Sequence, residues 1–205
     1  KPSVALVKGY KINKDKIAIF GIRPNKPETG YGYLKISDAK KFMSFPQEVI
    51  EFVEKPTKDL AEKYLTEGTY FWNSGMFCFT AKTLQNNFEM HSSDIWNQSV
   101  EIYKNSKKLK NVTTFNSDDF SSLPNVSIDY SLIEKSNDII AVYGDFGWSD
   151  IGSWESISLE TKQNDDGNSF IGESEDMIFF ENSKNNYVNV QSNTKKFTAV
   201  VGVEN

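Results

Sequence analysis

From Lys16 to Ile22 the chain reads Lys-Ile-Ala-Ile-Phe-Gly-Ile and then stops at Arg23-Pro24. An unbroken apolar run of this length, rich in β-branched residues, predicts a strand buried on both faces. Asn25 to Gly32 carries a proline and two glycines, which predicts a loop whose main chain can approach a ligand. Apolar positions return at Tyr33–Ile36 and Glu48–Val53, both read as strands, the second halted by Pro56. Thr57 then opens a helix with Asp59 in its first turn, Leu60, Ala61, Tyr64 and Leu65 as its apolar positions, and Gly68 as its terminator.

Tyr70 to Phe79 reads as a strand broken by a turn at Asn73-Ser74-Gly75. Thr80 caps a helix with Leu84 and Phe88 on one face. Ser92 or Ser93 caps another, with Ile95, Trp96, Ser99, Val100 and Tyr103 predicted to face inward. Ser127 opens a helix running through Glu134, and Ile139–Tyr143 is a further strand. Near Lys162 the pattern changes to short strands around 168–172, 177–181, 186–191 and 196–203, separated by Asn, Asp, Gly and Ser. The expectation is an α/β domain on a mainly parallel sheet over residues 1–161, then the start of a β-rich domain over 162–205.

Composition narrows the function classes. With 38% hydrophobic and 25% charged residues the chain is an ordinary globular one, and a net charge of −5 without a basic stripe argues against nucleic-acid or membrane-surface partners. No apolar stretch approaches the length needed to span a bilayer, so cytoplasm is the expected location. The one cysteine, Cys78, sits in an apolar run and is expected to be a buried, inert thiol, and the one histidine, His91, has no triad partners beside it. Lys107-Lys108-Leu109-Lys110 is expected to be a solvated loop or helix end.

Four segments can carry chemistry. In Phe52-Val53-Glu54-Lys55-Pro56 successive side chains alternate faces, so Glu54 and Lys55 are not expected to pair with each other. The proline bends the chain, however, so both can converge on a ligand. A lysine there neutralises a phosphate, and a glutamate accepts from sugar hydroxyls. Alone, a solvated strand end explains this motif better. In Trp72-Asn73-Ser74-Gly75 the Asn73 amide can both donate to and accept from hydroxyls, although a tight turn would also use these residues. In Trp148-Ser149-Asp150-Ile151-Gly152-Ser153-Trp154 a hard carboxylate follows a strand and suits Mg²⁺, or else caps the next helix. Arg23-Pro24-Asn25-Lys26-Pro27-Glu28-Thr29-Gly30-Tyr31-Gly32-Tyr33 offers main-chain groups through its glycines, although by itself a structural loop explains it better.

Taken together, with Phe20-Gly21-Ile22 before them and Ser127-Ile128-Asp129-Tyr130 between, these strings resemble the mannose-1-phosphate guanylyltransferases (GDP-mannose pyrophosphorylases) across most of residues 17–154. Glu-Lys-Pro occurs widely among sugar nucleotidyltransferases, whereas the Glu-Thr-Gly-Tyr-Gly-Tyr and Trp-Ser-Asp-Ile-Gly-Ser-Trp strings are more specific to the guanylyltransferases. The resemblance implies a Rossmann-like nucleotidyltransferase domain, of which this is the C-terminal portion, followed by a β-rich region of left-handed-helix character. It implies the reaction of mannose 1-phosphate with GTP to give GDP-mannose and pyrophosphate, with polysaccharide precursors as the product class. It assigns Lys55 to the sugar phosphate, Glu54 and Asn73 to the hexose hydroxyls, Tyr31 and Gly32 to the sugar through the main chain, and Asp150 to Mg²⁺ as one of two metal-binding aspartates. Asp129 joins the substrate-binding set, although a role at a helix N-terminus would explain it equally well.

The chain departs from that family in lacking a glycine-rich loop with Arg and Lys for the triphosphate, and the first metal-binding aspartate. A fragment carrying the sugar-phosphate half of the site, inactive by itself, is therefore expected. Two other readings stay open: transfer to another hexose 1-phosphate, and a non-catalytic homologue that binds sugar nucleotide. Self-association is also open.

Overall fold

The computed structural model describes residues 14–172, 178–192 and 194–205. The described contacts divide the chain into two compact units, one ending at Trp148 and the other starting at Ser149.

The first unit is built on a six-stranded sheet in the order β3-β8-β1-β5-β2-β4. Its strands are β1 (Ile17–Ile22), β2 (Tyr33–Lys35), β3 (Gln47–Glu48), β4 (Glu51–Val53), β5 (Tyr70–Cys78) and β8 (Ile139–Gly144). The unbroken apolar run becomes β1, buried at every position between β8 and β5. The sheet is mixed rather than mainly parallel. β1 runs parallel to β8, and the other described pairings in this sheet are antiparallel. Length and periodicity identify strands but not their neighbours, and every pairing in this sheet joins strands that are not consecutive in the chain.

Several local expectations are revised. The predicted strand 48–53 divides into β3, beside β8, and β4, beside β2. The turn predicted at Asn73-Ser74-Gly75 is instead a bulge inside a continuous strand. Gly75 takes φ +69, and the register with β1 shifts between Ile19, opposite Phe77, and Gly21, opposite Asn73. The helix at 127–134 is an α-turn, Ile128–Ser131, followed by a 3₁₀ turn, Ile133–Lys135. In the helix Ser93–Lys104, Ile102 is buried and Tyr103 is exposed. The lysine run lies in a hairpin of β6 (Lys107–Leu109) and β7 (Val112–Thr114), and Cys78 is half-buried.

Two apolar clusters pack on the sheet. One joins Leu34, Phe52 and Phe71 to Leu132 and Ile133. The other gathers Tyr33, Trp72, Tyr64 and Tyr70, with Tyr31, Val53 and Trp148 at its margin. Register explains the division. Tyr33 stands opposite both Trp72 and Val53, while Leu34 stands opposite both Phe71 and Phe52. With side chains alternating at period two, Gly32, Glu54 and Asn73 share the face of Leu34, Phe52 and Phe71. That face is covered by the segment around Leu132 and Ile133, which decides what those three residues meet.

In the second unit Ser153 caps the helix Trp154–Glu160 through a capping box with Ser156. The rest is β-rich, as expected, with β9 (Ser169–Ile171) parallel to β11 (Tyr187–Asn189) and β10 (Ile178–Glu181) parallel to β12 (Thr198–Val201). Asn168 ties the two rungs together. Its amide donates to the Ser183 carbonyl and accepts from both the main chain and the side chain of Asn186, and the three residues are buried.

Candidate functional site

Five of the expected substrate residues, Tyr31, Gly32, Glu54, Lys55 and Asn73, converge where β2 begins and β4 ends, beside the bulge within β5. Asn73 N–H donates to the Gly32 carbonyl at 2.7 Å, and Lys55 N–H donates to the Tyr31 carbonyl at 3.2 Å. These bonds bring the loop before β2 against the end of β4 and the bulge of β5. Gly32 has no room for a side chain: a Cβ there would lie 2.5 Å from Glu54 Oε2, 3.1 Å from Phe52 Cζ and 3.2 Å from Asn73 Cβ. Glycine lets the backbone and the glutamate approach this closely.

The Glu54 side chain is only 9% exposed, and its Oε2 is buried without a hydrogen-bond partner. Burial, and next the charge of Asp129, raise its pKa above the usual carboxylate value, against the opposing pull of Lys55. A buried carboxylate oxygen with no donor is costly to the fold, and a hydroxyl-bearing ligand would relieve that cost. Contrary to the expectation from strand alternation, Glu54 and Lys55 do pair, with Lys55 Nζ 3.5 Å from Glu54 Oε1. Lys55 takes φ +48, an unusual conformation for a residue with a Cβ, and this turns it out of the strand onto the same side as Glu54. Its side chain is 57% exposed, so the ammonium stands at the rim above a buried carboxylate.

Asn73 is oriented from both ends. Its Oδ1 accepts from Gly75 N–H at 2.8 Å across the bulge, and its Nδ2 donates to Asp129 Oδ1 at 3.1 Å. One amide hydrogen remains available. Ser127 caps the turn that carries Asp129, which leaves the Asp129 carboxylate to hold Asn73. Tyr31 packs edge-to-face on Trp72 and on Trp148, with ring centroids 5.2 Å apart in each case, forming an aromatic wall beside the loop.

Two contributors were invisible in the sequence. Glu134 accepts a 2.9 Å hydrogen bond from the Glu54 main-chain N–H across 80 residues, a separation no local pattern signals. Trp148 joins the aromatic wall, although the sequence marked its segment only for the aspartate. Asp150 lies in the second unit on an exposed loop. Ser153, not Asp150, caps the following helix, which removes the bland reading of that carboxylate. The next residue, Ile151, takes φ +49, a strained conformation for a β-branched side chain. Among the described residues no group of three or more His, Cys, Asp or Glu could hold a metal ion by itself.

The sign of the Glu54 shift gives a prediction. Between the unfolded and the raised folded pKa the native state holds more protons, so stability falls as pH rises through that window. Glu54→Gln should therefore leave Tm at pH 7 equal to or above that of the parent, with the advantage vanishing below the unfolded pKa. A clear fall in Tm at pH 7 would mean that the ionised carboxylate supports the fold rather than a ligand.

The sequence profile described as Nucleotidyl transferase matches residues 4–166, well over half of the chain. The chain belongs to the nucleotidyl transferase family. Within the family it is 36% identical to the mannose-1-phosphate guanylyltransferase of Klebsiella pneumoniae over 190 residues, which is 92% of this chain and 39% of that protein. It is also 36% identical over 190 residues to the xanthan biosynthesis protein XanB of Xanthomonas campestris pv. campestris (strain B100), covering 93% of this chain and 38% of that one. The chain thus spans about two fifths of the length of these curated relatives. Its fold matches the crystal structure described as mannose-1-phosphate geranyltransferase from Thermus thermophilus, with TM-score 0.78 and 26% identity over 98% of this chain and 55% of that one. Among the described residues no helix is long and apolar enough to cross a membrane.

Proposed function

We propose that this chain carries the sugar-phosphate half of the active site of a mannose-1-phosphate guanylyltransferase. The observation that supports it most is the buried, unpartnered Glu54 Oε2, with the Asn73 amide held beside it and the Lys55 ammonium at the rim. A carboxylate acceptor and an amide donor suit hexose hydroxyls, and an exposed ammonium suits the phosphate. Tyr31 and Gly32 contribute the main chain of the neighbouring loop.

In the reaction a phosphate oxygen of mannose 1-phosphate forms a bond to the α-phosphorus of GTP. The bond to the β-phosphate bridging oxygen breaks, and pyrophosphate leaves with that electron pair. The attacking oxygen already bears charge, so no protein nucleophile is needed. Lys55 offsets the repulsion between the two anions, and Glu54, Asn73 and the Gly32 main chain fix the hexose so that its phosphate points one way.

Asp150 is the residue here that would hold Mg²⁺. One exposed carboxylate suits this ion, which binds through one or two carboxylates plus substrate phosphates rather than in an all-protein cage. When bound, the ion would neutralise charge on the nucleotide phosphates and the departing pyrophosphate. The β-rich unit is read as the start of a second domain. Relatives named for xanthan and alginate biosynthesis support a place in polysaccharide precursor supply, and a GTP-consuming reaction is consistent with the cytoplasm.

The test is a product screen on the protein containing this chain, with GTP, ATP, UTP and CTP each paired with mannose 1-phosphate and glucose 1-phosphate in Mg²⁺. GDP-mannose should dominate. UDP-glucose or ADP-glucose as main product would move the protein to another hexose specificity. Tight sugar-nucleotide binding without turnover would make it a non-catalytic binder.

A further inference from the structure

Glu134 forms the contact that the functional reading leaves unused. β4 is the edge strand of the sheet, and between Val53, paired with Tyr33, and Lys55, bonded to Tyr31, the Glu54 N–H faces away from β2 with no ladder partner. Glu134 takes that N–H instead, with Oε1 2.9 Å from Glu54 N. One residue later Lys55 adopts φ +48 and sends its own N–H back to the Tyr31 carbonyl. The chain therefore turns out of the strand between two tethers, one on each side of the Glu54–Lys55 pair. The Glu134 tether is rooted in the core, because the adjoining Ile133 and Leu132 are buried against Phe52 and Phe71. The same segment presents Asp129 to the Asn73 amide. A single covering segment thus holds a main-chain group of one sugar-facing residue and the side chain of another.

We propose that Glu134 is a positioning residue of the sugar-phosphate site: by accepting the Glu54 N–H it fixes the left-handed turn at Lys55 that brings carboxylate and ammonium to the same ligand. This rests on the proposed function. The side chain acts as a hydrogen-bond acceptor on the main chain, so the positioning needs its acceptor oxygen and not its charge, which is unfavourable to the ionised Glu54. Its charge is in fact among the influences that raise the pKa of Glu54.

The experiment compares Glu134→Ala and Glu134→Gln in the protein containing this chain, measuring KM for the hexose 1-phosphate and for the nucleotide separately, with Tm alongside. A lost hydrogen bond of about 0.5–1.5 kcal/mol predicts a rise of roughly two- to tenfold in the hexose 1-phosphate KM of Glu134→Ala. The nucleotide KM should be unchanged. Glu134→Gln keeps an acceptor oxygen and should restore the parental KM. An active parent whose Glu134→Ala variant keeps the parental hexose-phosphate KM overturns this inference alone. So does a rise in both KM values together with a fall in Tm, which marks a merely structural residue, or a Gln variant as impaired as Ala. A parent that uses no hexose 1-phosphate overturns the proposed function, and this inference with it.

Discussion

Lys55→Ala is expected to lower kcat/KM for mannose 1-phosphate by about 10²-fold or more, because it removes the charge-assisted contact proposed for the sugar phosphate. The fold should tolerate the change. The side chain is 57% exposed, and its ion pair with Glu54 stands at the rim of the site. Lys55→Gly makes the argument sharper. Glycine accepts φ +48 without the penalty a Cβ brings, so this variant should match the parent or exceed it in Tm while losing the same activity. Steady-state kinetics and thermal melting of both variants check this. Parental KM and kcat in Lys55→Ala would remove the residue from the site.

The second large effect is expected at Gly32. A Cβ placed there lies 2.5 Å from Glu54 Oε2, with Phe52 and Asn73 closing the other sides. The residue that can yield is the glutamate, and its displacement takes the carboxylate off the sugar. Gly32→Ala should therefore raise the mannose 1-phosphate KM by about 10- to 100-fold, the scale attached to a misplacement near 1 Å. The nucleotide KM should hold. Gly30 is the control, since an added Cβ there meets only Glu28 Oε1 at 3.4 Å, and Gly30→Ala should behave like the parent. Equal effects at the two glycines would show that loop flexibility, not the packing of Glu54, governs the site.

The parts of this architecture that were legible in the sequence are those with a local physical signature. β1 was legible because a short apolar run, rich in isoleucine and stopped by Arg23-Pro24, fits a buried strand better than a helix, and the Lys58–Glu67 helix because its terminator, Gly68, supplies a left-handed C-cap at φ 71. The direction of the sheet was not legible, since pairing β1 with β5 and β8 depends on contacts far apart in sequence. At the site, Glu54, Lys55 and Asn73 could be singled out by residue type and order. Their geometry could not. Strand alternation argues that Glu54 and Lys55 diverge, and only the left-handed backbone at Lys55 reverses that. The bulge that turns Asn73 looked like a turn because the same Asn-Ser-Gly composition serves both. Glu134 carries no local signal at all, because its acceptor role exists only once the strand end and the covering segment have met.

These residues also show why the site is costly to the fold. An unpartnered buried carboxylate oxygen, a neighbouring aspartate that pushes its pKa up, and a lysine with positive φ are each unfavourable in the absence of ligand. Their concentration within one strand end is the pattern expected where ligand contacts, rather than internal ones, complete the hydrogen bonding.

The central claim is that mannose 1-phosphate binds where β2 begins and β4 ends, beside the bulge of β5. It is tested most directly by titrating the sugar phosphate into the isotopically labelled 205-residue chain and following main-chain amide chemical shifts. The account predicts saturable shifts concentrated at Gly32, Glu54, Lys55, Asn73 and Asp129, all abolished by Lys55→Ala. Shifts centred on the cavity of about 630 Å³ lined by Lys14, Lys16, Thr83 and Asn87, with those five amides unmoved, would contradict it.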